Sequence, residues 1–457
     1  MTCLRAPLIL SLLVPALALP ACGLGKVCIG DCELEGEDSE TSTSDVSVSS
    51  TYPTTGDPPE GTSSTDVADD TTSAGDSTGG DACEFFVEDA FDPLDGCGDG
   101  AQNPREFCFV EGAVVGAFTD LTSALPVFVD AGGVDIAVTQ GDRTASVMLD
   151  GPEPFLDTAH VDWPMQLPEG AMILTGAGDV DEDGVQDVVA LNTSTVPGEH
   201  VVYSFTLAGD GNLKGVTNQA FADVRFGPAV ADWNGDDHLD LVIVVDADPS
   251  VIVLAGDGTG NYTVTPEPIA LVGDLQQFAL GALDADAAEN DLVAARADGD
   301  VAVVIDGVVS VVPGPSGATY RALEVVRVDN DDLGDFVALY DDPADERAKL
   351  GVFRRQAAGA DPSFAFSAYD VLCGATTMAI GDIDGDGQID VVAAGPGSPR
   401  FTMRRGDGDG GFAEAVVFEF PLPADRVFIA DLDGNGANDV LALDLASSAL
   451  HYATNTP

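Results

Sequence analysis

The chain has 457 residues, of which 45% are hydrophobic, so it has the apolar material for a sizeable core and is not disordered throughout. Its 79 Asp and Glu residues outnumber 17 Lys and Arg, and the formal net charge of -62 would repel nucleic acid and anionic lipid headgroups. So many carboxylates in a folded protein require cations, held at particular sites or supplied by a salty medium.

Residues 1–21 have the pattern of an export signal. Arg5 gives a positive start, an apolar run follows from Leu8 to Leu19, and small residues precede Cys22. This end resembles the bacterial lipobox, in which the cysteine is diacylated and becomes the mature N-terminus. The resemblance predicts Cys22 as a lipid anchor that holds the protein outside the cytoplasm, on the bacterial envelope at the outer membrane or cell surface.

The alternative at the N-terminus is an ordinary secretory signal, with Cys22 free to form a disulfide. No later segment reaches the roughly 18 consecutive apolar residues of a membrane-spanning helix, so the lipid is predicted to be the only membrane contact. Both interpretations place the chain in an oxidising compartment.

Residues 33–82 are predicted to be a disordered tether. Of these 50 residues, 20 are Ser or Thr, 13 are Asp or Glu, and none is Lys or Arg. Such a composition buries too little apolar surface to offset the entropy of ordering. A flexible coil of this length spans roughly 40 Å, so it would lift the following domain off the membrane.

The remaining cysteines are expected to form disulfides. Residues 22–32 carry the pair Cys28 and Cys32, and residues 83–110 form a short cysteine-rich segment. The stretch from Cys97 to Cys108 resembles a short cysteine-rich repeat of bacterial surface lipoproteins, which implies a disulfide between these two residues. Cys83 would then pair with Cys373. A zinc site is the competing interpretation, but no histidine lies near these cysteines.

The rest of the chain, residues 111–457, is internally repetitive. Four segments share the pattern D-x-[DN]-x-[DN]-x-x-x-D, and three degenerate copies keep its last aspartate. Short apolar runs rich in β-branched residues follow each copy, and Gly-Asp-Gly turns follow at 209–211, 256–258 and 406–408. The last aspartates lie roughly 50 residues apart, at Asp135, Asp187, Asp240, Asp291, Asp335, Asp390 and Asp439.

Units of this size, with several short strands each, predict an all-β fold: a seven-bladed β-propeller. After Asp439 the chain has room for only two strands, so the last blade would lack its outer strand. Residues 107–118 are the predicted donor of that strand, which would close the ring and remove exposed strand edges. An open solenoid is the alternative.

The spacing of the complete loops predicts a calcium site in each of the four. Oxygens at positions 1, 3 and 5 of a tight turn converge, position 7 can add a carbonyl, and the acid at position 9 closes the shell. An EF-hand would need Glu at position 12, where this chain has Ala or Ile within a strand. The predicted ligands are Asp179, Asp181, Asp183 and Asp187; Asp232, Asn234, Asp236 and Asp240; Asp382, Asp384, Asp386 and Asp390; and Asp431, Asp433, Asn435 and Asp439.

These loops resemble the FG-GAP and VCBS repeats of integrin-α-like propellers and bacterial surface proteins. The resemblance covers residues 110–457 and depends most on 380–390 and 430–439. Three units depart from it: Arg327 replaces the first ligand of the fifth, Ala282 stands there in the fourth, and the first keeps only Asp130 and Asp135. No metal is predicted in those three.

The expected function is binding without catalysis. Anchor, tether and propeller in series indicate a cell-surface adhesion or binding module, and the resemblance implies a protein or glycan ligand without identifying it. The chain contains no nucleophile-elbow, HExxH or P-loop motif. The alternatives are a polysaccharide-processing enzyme with paired carboxylates in the central channel, and a structural envelope protein.

Overall fold

The computed structural model describes residue 109 and residues 113–455, apart from 116–117, 131–132, 142, 150–159, 165, 168, 194–199, 246–248, 266–267, 285–290, 345 and 357–361. The predicted signal, the Cys22 anchor, the tether and the Cys97–Cys108 disulfide lie outside the described residues. In the described part, no helix is long and apolar enough to cross a membrane.

The described residues form 29 strands in seven antiparallel sheets, which we call blades 1 to 7 in chain order. The strand β1 (Ala113–Val115) precedes blade 1. Blade 1 contains β2 (Leu121–Val127), β3 (Asp135–Gln140), β4 (Ala145–Met148) and β5 (His160–Asp162). Blade 2 contains β6 (Ala171–Gly178), β7 (Asp187–Thr193), β8 (His200–Leu207) and β9 (Leu213–Phe221). Blade 3 contains β10 (Val224–Ala231), β11 (Asp240–Val245), β12 (Ser250–Gly256), β13 (Tyr262–Val264) and a short β14 (Ile269–Ala270).

The remaining blades repeat the same four-stranded meander. Blade 4 contains β15 (Leu275–Gly281), β16 (Asp291–Arg296), β17 (Val301–Ile305) and β18 (Val308–Val312). Blade 5 contains β19 (Thr319–Val326), β20 (Asp335–Asp342), β21 (Arg347–Arg355) and β22 (Phe364–Asp370). Blade 6 contains β23 (Thr377–Gly381), β24 (Asp390–Gly395), β25 (Ser398–Arg404) and β26 (Val416–Glu419). Blade 7 contains β27 (Arg426–Ala430), β28 (Asp439–Asp444) and β29 (Ala449–Ala453), with β1 as its fourth strand.

The second strand of each blade is buried on both faces. In β24 and β28 every residue is buried, as expected for a strand that lies between two neighbouring blades. The apolar runs that follow the acidic motifs supply these strands, which explains why they are continuous rather than alternating in hydrophobicity.

The core lies between adjacent blades. One cluster joins blades 6 and 7 through residues such as Phe401, Met403 and Val440, and another joins blades 7 and 1 through residues such as Leu441 and Ile136. Apolar packing is therefore continuous across the junction between the last blade and the first.

Blade 7 is closed by the N-terminal side of the domain, as the sequence predicted. Strand β1 pairs antiparallel with β29, with Ala113 opposite Tyr452 and Val115 opposite Leu450. Phe109 forms a further isolated bridge to Asn455. The two ends of the domain thus complete one sheet, and the seven-bladed propeller is confirmed.

Cys373 lies in the connection between β22 and β23 and is disulfide-bonded. Its partner is outside the described residues, so the pairing with Cys83 stays a prediction.

Candidate metal-binding loops

In every blade the acidic motif connects the first strand to the second; we call this connection the acidic loop. In the four complete copies, position 1 directly follows the first strand, and in all seven blades position 9 is the first residue of the second strand. Because the strands alternate in direction, the hairpin between the third and fourth strands lies at the same end of the sheet. The acidic loops and these hairpins therefore share one end of each blade.

The aspartate at position 9, which we call the terminal aspartate, is fully buried in all seven blades. One of its oxygens accepts a hydrogen bond from the backbone N–H of position 2 of its own loop or, in the irregular blades, of the corresponding residue, at 2.7 to 3.1 Å. The donors are Val129, Val180, Trp233, Leu283, Val328, Ile383 and Leu432.

The other oxygen of the terminal aspartate reaches across the sheet. In six blades it accepts a backbone N–H from the end of the third strand or the residues just beyond it, at 2.6 to 3.3 Å. The donors are Leu207, Gly256, Asp306, Arg355, Gly406 and Asn455. The terminal aspartate therefore ties the acidic loop to the third strand in complete and degenerate copies alike.

Burial raises the pKa values of the terminal aspartates of blades 2 to 7, although the backbone hydrogen bonds act in the opposite direction. Desolvation raises the pKa of Asp187 to about 8 and those of Asp335, Asp390 and Asp439 to about 7. A bound cation would oppose this shift, because a positive charge favours the ionised carboxylate.

Three of the four complete loops bring three carboxylates together. In each, one oxygen from positions 1, 3 and 9 lies within 4.8 Å of the others. These carboxylate clusters are Asp179, Asp181 and Asp187 in blade 2; Asp382, Asp384 and Asp390 in blade 6; and Asp431, Asp433 and Asp439 in blade 7.

The carboxylate clusters contain buried oxygens that receive no hydrogen bond from any residue in the described part of the chain. These atoms are Asp181 Oδ1, Asp382 Oδ1, Asp384 Oδ2 and Asp431 Oδ1. A buried carboxylate oxygen without a donor is costly unless a cation faces it. The residues present therefore fit a metal ion with hard oxygen ligands.

The side chain at position 5, a predicted ligand, also has a contact within its own loop. Asp183, Asp386 and Asn435 each accept a hydrogen bond from the backbone N–H two residues later, at 2.7 to 3.0 Å. Neither Asp183 nor Asp386 belongs to the groups of carboxylates within 4.8 Å. This side chain closes the turn of its loop.

The loop of blade 3 does not gather three carboxylates in the same way. Asp232 accepts backbone N–H groups from Gly235, Asp236 and Asp237 at 2.8 to 3.1 Å, so the turn itself is formed. Asn234 stands where the other three loops have the second aspartate, and its amide nitrogen lies 3.5 Å from Asp240 Oδ1. This predicted site has fewer convergent anionic oxygens than the others.

The turn of the acidic loop needs a left-handed residue at position 4. Gly385 and Gly434 adopt positive φ values of 69° and 74°, which glycine tolerates without steric cost. Blade 2 has Glu182 at this position with φ of 56°. Its carboxylate pairs with His238 of the blade 3 loop, and hydrogen bonding to Glu182 raises the pKa of His238.

The degenerate loop of blade 5 has a protein cation beside it. Arg354 Nε lies 3.8 Å from Asp329 Oδ2, and Arg354 also donates to the carbonyl of Asp409 in the blade 6 hairpin. The neighbouring Arg355 side chain is buried and donates to the carbonyl of Leu283 in the blade 4 loop. Guanidinium groups thus stabilise the region where ligands are missing.

Sequence reasoning missed two basic residues at the complete loops. Lys214 Nζ lies 2.6 Å from Asp181 Oδ2 and 2.5 Å from Asp183 Oδ2 in blade 2. Arg405 Nη1 lies 3.7 Å from Asp384 Oδ2 in blade 6. Alignment of the hairpins between the third and fourth strands would have indicated Lys214, because its hairpin lies at the same end of the sheet as the loop.

Comparison with known proteins agrees with this repeat structure. A model of the FG-GAP-like repeat matches residues 179–243 and 382–442, which contain the complete loops of blades 2 and 3 and of blades 6 and 7. A search of curated protein sequences found no significant match.

Several solved structures resemble the chain in fold at low sequence identity. BBS1N in complex with ARL6DN is 12% identical with a TM-score of 0.48, and covers 77% of this chain and 97% of its own. An Agrocybe aegerita lectin that recognises non-reducing terminal N-acetylglucosamine is 15% identical with a TM-score of 0.47, covering 74% and 86%. A catalytically inactive virginiamycin B lyase from Staphylococcus aureus is 13% identical with a TM-score of 0.45, covering 76% and 99%.

A seven-bladed propeller with this repeat fits a binding module. The chain is therefore a seven-bladed β-propeller that carries FG-GAP-like repeats at residues 179–243 and 382–442.

Proposed function

We propose that this protein is a non-catalytic binding module of the bacterial cell surface, stabilised by Ca²⁺ in its acidic loops. The observation that carries the calcium assignment is the set of buried, donor-free carboxylate oxygens in blades 6 and 7, at Asp382, Asp384 and Asp431. In each of these blades the same residues, with Asp433 in blade 7, offer one oxygen each within 4.8 Å of one oxygen of the terminal aspartate, Asp390 or Asp439.

The chemistry of the ligands favours Ca²⁺ over other common ions. Every side chain of the clusters offers oxygen, which is the ligand of hard cations, and none offers nitrogen or sulfur. Ca²⁺ accepts irregular coordination by six to eight oxygens, whereas Mg²⁺ demands near-ideal octahedral geometry. A loop whose oxygens come from a turn and an adjoining strand suits the more tolerant ion.

Calorimetric titration with Ca²⁺ tests this assignment. The purified domain should bind Ca²⁺, Mg²⁺ should substitute poorly, and chelation should lower the melting temperature. Asp431→Ala should bind one ion fewer than the wild type, while Asp329→Ala in the degenerate blade 5 loop is the matched control and should bind the same number. Absence of Ca²⁺ binding to the wild type would reject the assignment.

The arrangement of the first strands supports binding rather than carbohydrate cleavage. First strands of successive blades contact each other, so they lie nearest the centre of the ring. Among the seven first strands the only acid is Glu324 in β19, whose burial raises its pKa to about 8. Most glycosidases use two carboxyl groups, one on each side of the glycosidic bond that is cleaved. The first strands supply only one.

A glycan array and a panel of hydrolase and lyase substrates, applied to the same preparation, separate binding from catalysis. Binding of a glycan or protein without turnover is expected. Turnover of a polysaccharide without retention on the array would favour the enzyme instead.

The surface location rests on the sequence of the N-terminal region. The lipobox resemblance at Cys22 and the acidic tether of residues 33–82 support an anchor followed by a spacer. Intact-mass analysis of detergent-extracted protein should show loss of residues 1–21 and an added lipid mass, and Cys22→Ala should release the protein from the membrane. A mature chain without lipid mass would contradict the anchor.

A further inference from the structure

We propose that Lys214 supplies a built-in cation to the acidic loop of blade 2, so that this loop does not take up Ca²⁺ under conditions that fill the loop of blade 7. The proposal rests on the proposed calcium sites and adds which loop is excluded from them. The group concerned is the ammonium ion of Lys214, in the fourth strand of the same blade.

The contacts of Lys214 involve two of the predicted ligands at once. Its Nζ lies 2.6 Å from Asp181 Oδ2 and 2.5 Å from Asp183 Oδ2, which are charge-assisted contacts at hydrogen-bond distance. The Asp181 side chain is only 12% exposed, so this contact is partly shielded from solvent. The ammonium group therefore neutralises positions 3 and 5 of the loop from within the protein.

A Ca²⁺ ion would have to compete with this ammonium group. Positions 3 and 5 are the ligands that the loop spacing assigns to the metal, and a divalent ion beside a fixed positive charge is repelled. Binding would therefore first require Lys214 to leave both carboxylates. Since Ca²⁺ sites outside cells are often of only modest affinity, a competing internal cation is sufficient to lower occupancy.

The corresponding positions in other blades carry no such cation. The hairpins between the third and fourth strands of blades 2, 3 and 6 share one backbone hydrogen bond. It runs from Ala208 N to Asn212 O, from Asp257 N to Asn261 O and from Asp407 N to Gly411 O, at 2.9 to 3.1 Å. Lys214 is the extra residue of a β-bulge between Leu213 and Gly215, whereas blade 3 pairs Thr263 with Ala255 without a bulge. Thr263 in blade 3 and Ala413 in blade 6 follow these bonds by the same number of residues. Neither side chain can supply a positive charge.

The other two carboxylate clusters differ from blade 2 in their charge neighbours. In blade 6, Arg405 Nη1 lies 3.7 Å from Asp384 Oδ2, so this loop also has a protein cation beside it. In blade 7, no Lys or Arg of the described residues forms an ion pair with Asp431, Asp433 or Asp439. The contrast with blade 2 is therefore clearest in blade 7.

The test counts bound Ca²⁺ by calorimetric titration of the full mature chain and of matched variants. Lys214→Met, which keeps an unbranched side chain without the charge, should bind one more ion per chain than the wild type. Asp179→Ala in an otherwise unchanged chain should leave the count as it is, which tests the idea even if Lys214→Met fails to fold.

The outcomes separate this proposal from the calcium assignment. If the wild type binds Ca²⁺ and Asp179→Ala loses an ion, or Lys214→Met gains none, Lys214 does not exclude the metal and the other calcium sites stand. If Lys214→Met binds one ion and the wild type none, the role of Lys214 is supported while the calcium sites of blades 6 and 7 are rejected. If neither binds, both proposals are overturned.

Discussion

Blades 5 and 7 carry the same terminal aspartate in different loops. Asp335 and Asp439 are both fully buried, and each accepts one backbone N–H from its own loop and one from the end of its third strand. The first halves of the two loops differ, because blade 7 begins with Asp431 where blade 5 has Arg327. The comparison separates two tasks that the motif combines: position 9 builds the blade, and positions 1 and 3 gather the oxygens that face a cation.

This separation explains why the degenerate copies lose residues at the first positions of the motif but keep the aspartate at position 9. Loss of the first ligand removes a cation site, and in blade 5 the guanidinium group of Arg354 lies beside the remaining Asp329. Loss of the terminal aspartate would leave two buried N–H groups without that acceptor in blades 2, 5 and 7. The terminal aspartate accordingly recurs in all seven blades.

The largest expected effect is removal of a terminal aspartate. Asp335→Ala and Asp439→Ala should each lower the free energy of unfolding by about 2 to 6 kcal/mol, because two buried donors lose their acceptor at roughly 1 to 3 kcal/mol each. Urea denaturation in the presence of a chelator measures this without the metal. Small losses at both positions in chelator would mean that position 9 acts mainly through a cation.

The next effect is a dependence of stability on pH in chelator. Burial raises the pKa of Asp335 to about 7 in the folded protein, against 3.8 for the ordinary side chain. The folded state then holds more protons than the unfolded state between these values, so stability is greatest below about pH 4 and falls as the pH rises through 7. Each such proton contributes a slope of at most about 1.4 kcal/mol per pH unit.

Urea denaturation at pH 5, 6, 7 and 8 measures that slope. Asp335→Asn should reduce this slope, because asparagine does not titrate. General charge repulsion affects both proteins alike, so it cancels in the difference between their slopes. A stability that rises with pH over this interval would contradict the pKa direction assigned to the buried aspartates.

The smallest expected effect is the loss of one calcium site, compared between the loops of blades 7 and 5. At about 2 mM Ca²⁺ and a dissociation constant of roughly 10⁻⁴ to 10⁻³ M, one site contributes about 0.6 to 1.8 kcal/mol. Asp431→Ala should lose that amount in Ca²⁺ and much less in chelator. Asp329→Ala, in a loop without a predicted ion, should cost the same in Ca²⁺ and in chelator, because it loses only contacts within the protein such as the pair with Arg354. A loss at Asp431 that is equally large in Ca²⁺ and in chelator would mean that these aspartates only shape turns.

The repeat frame could be predicted from the sequence because it depends on a residue that is fixed in every blade. Each terminal aspartate is buried, and in six blades its carboxylate accepts at least two backbone hydrogen bonds. Their regular spacing therefore predicted the number of blades correctly. The outer strand of blade 7 followed from that count, and β1 is found within residues 107–118 as expected. The carboxylate clusters of blades 2, 6 and 7 followed from local spacing, since the loop closes on itself.

What the sequence did not reveal depends on contacts between distant segments. Lys214 is 31 and 33 residues from its two carboxylate partners, and their contact depends on the register of a hairpin. The pattern D-x-[DN] treats Asp and Asn alike, whereas in blade 3 the Asn234 amide nitrogen approaches Asp240. The added strand β14, which pairs with β12, has no counterpart in the other described sheets, which have four strands each.

The pairing of β1 with β29 in blade 7 is the point at which a pulling force on the N-terminal part of the chain would act on the propeller. A pull on the N-terminal part of the chain enters the ring through β1, a strand of three residues that pairs with β29. Asn455, just beyond β29, bonds to Asp439 at 2.6 Å, receives the Asn435 amide at 2.9 Å, and donates to Ile383 of the blade 6 loop at 2.9 Å. Hydrogen bonds through Asn455 therefore connect the end of β29 to the acidic loops of blades 6 and 7. A cation that stiffens these loops would raise the force needed to open the ring.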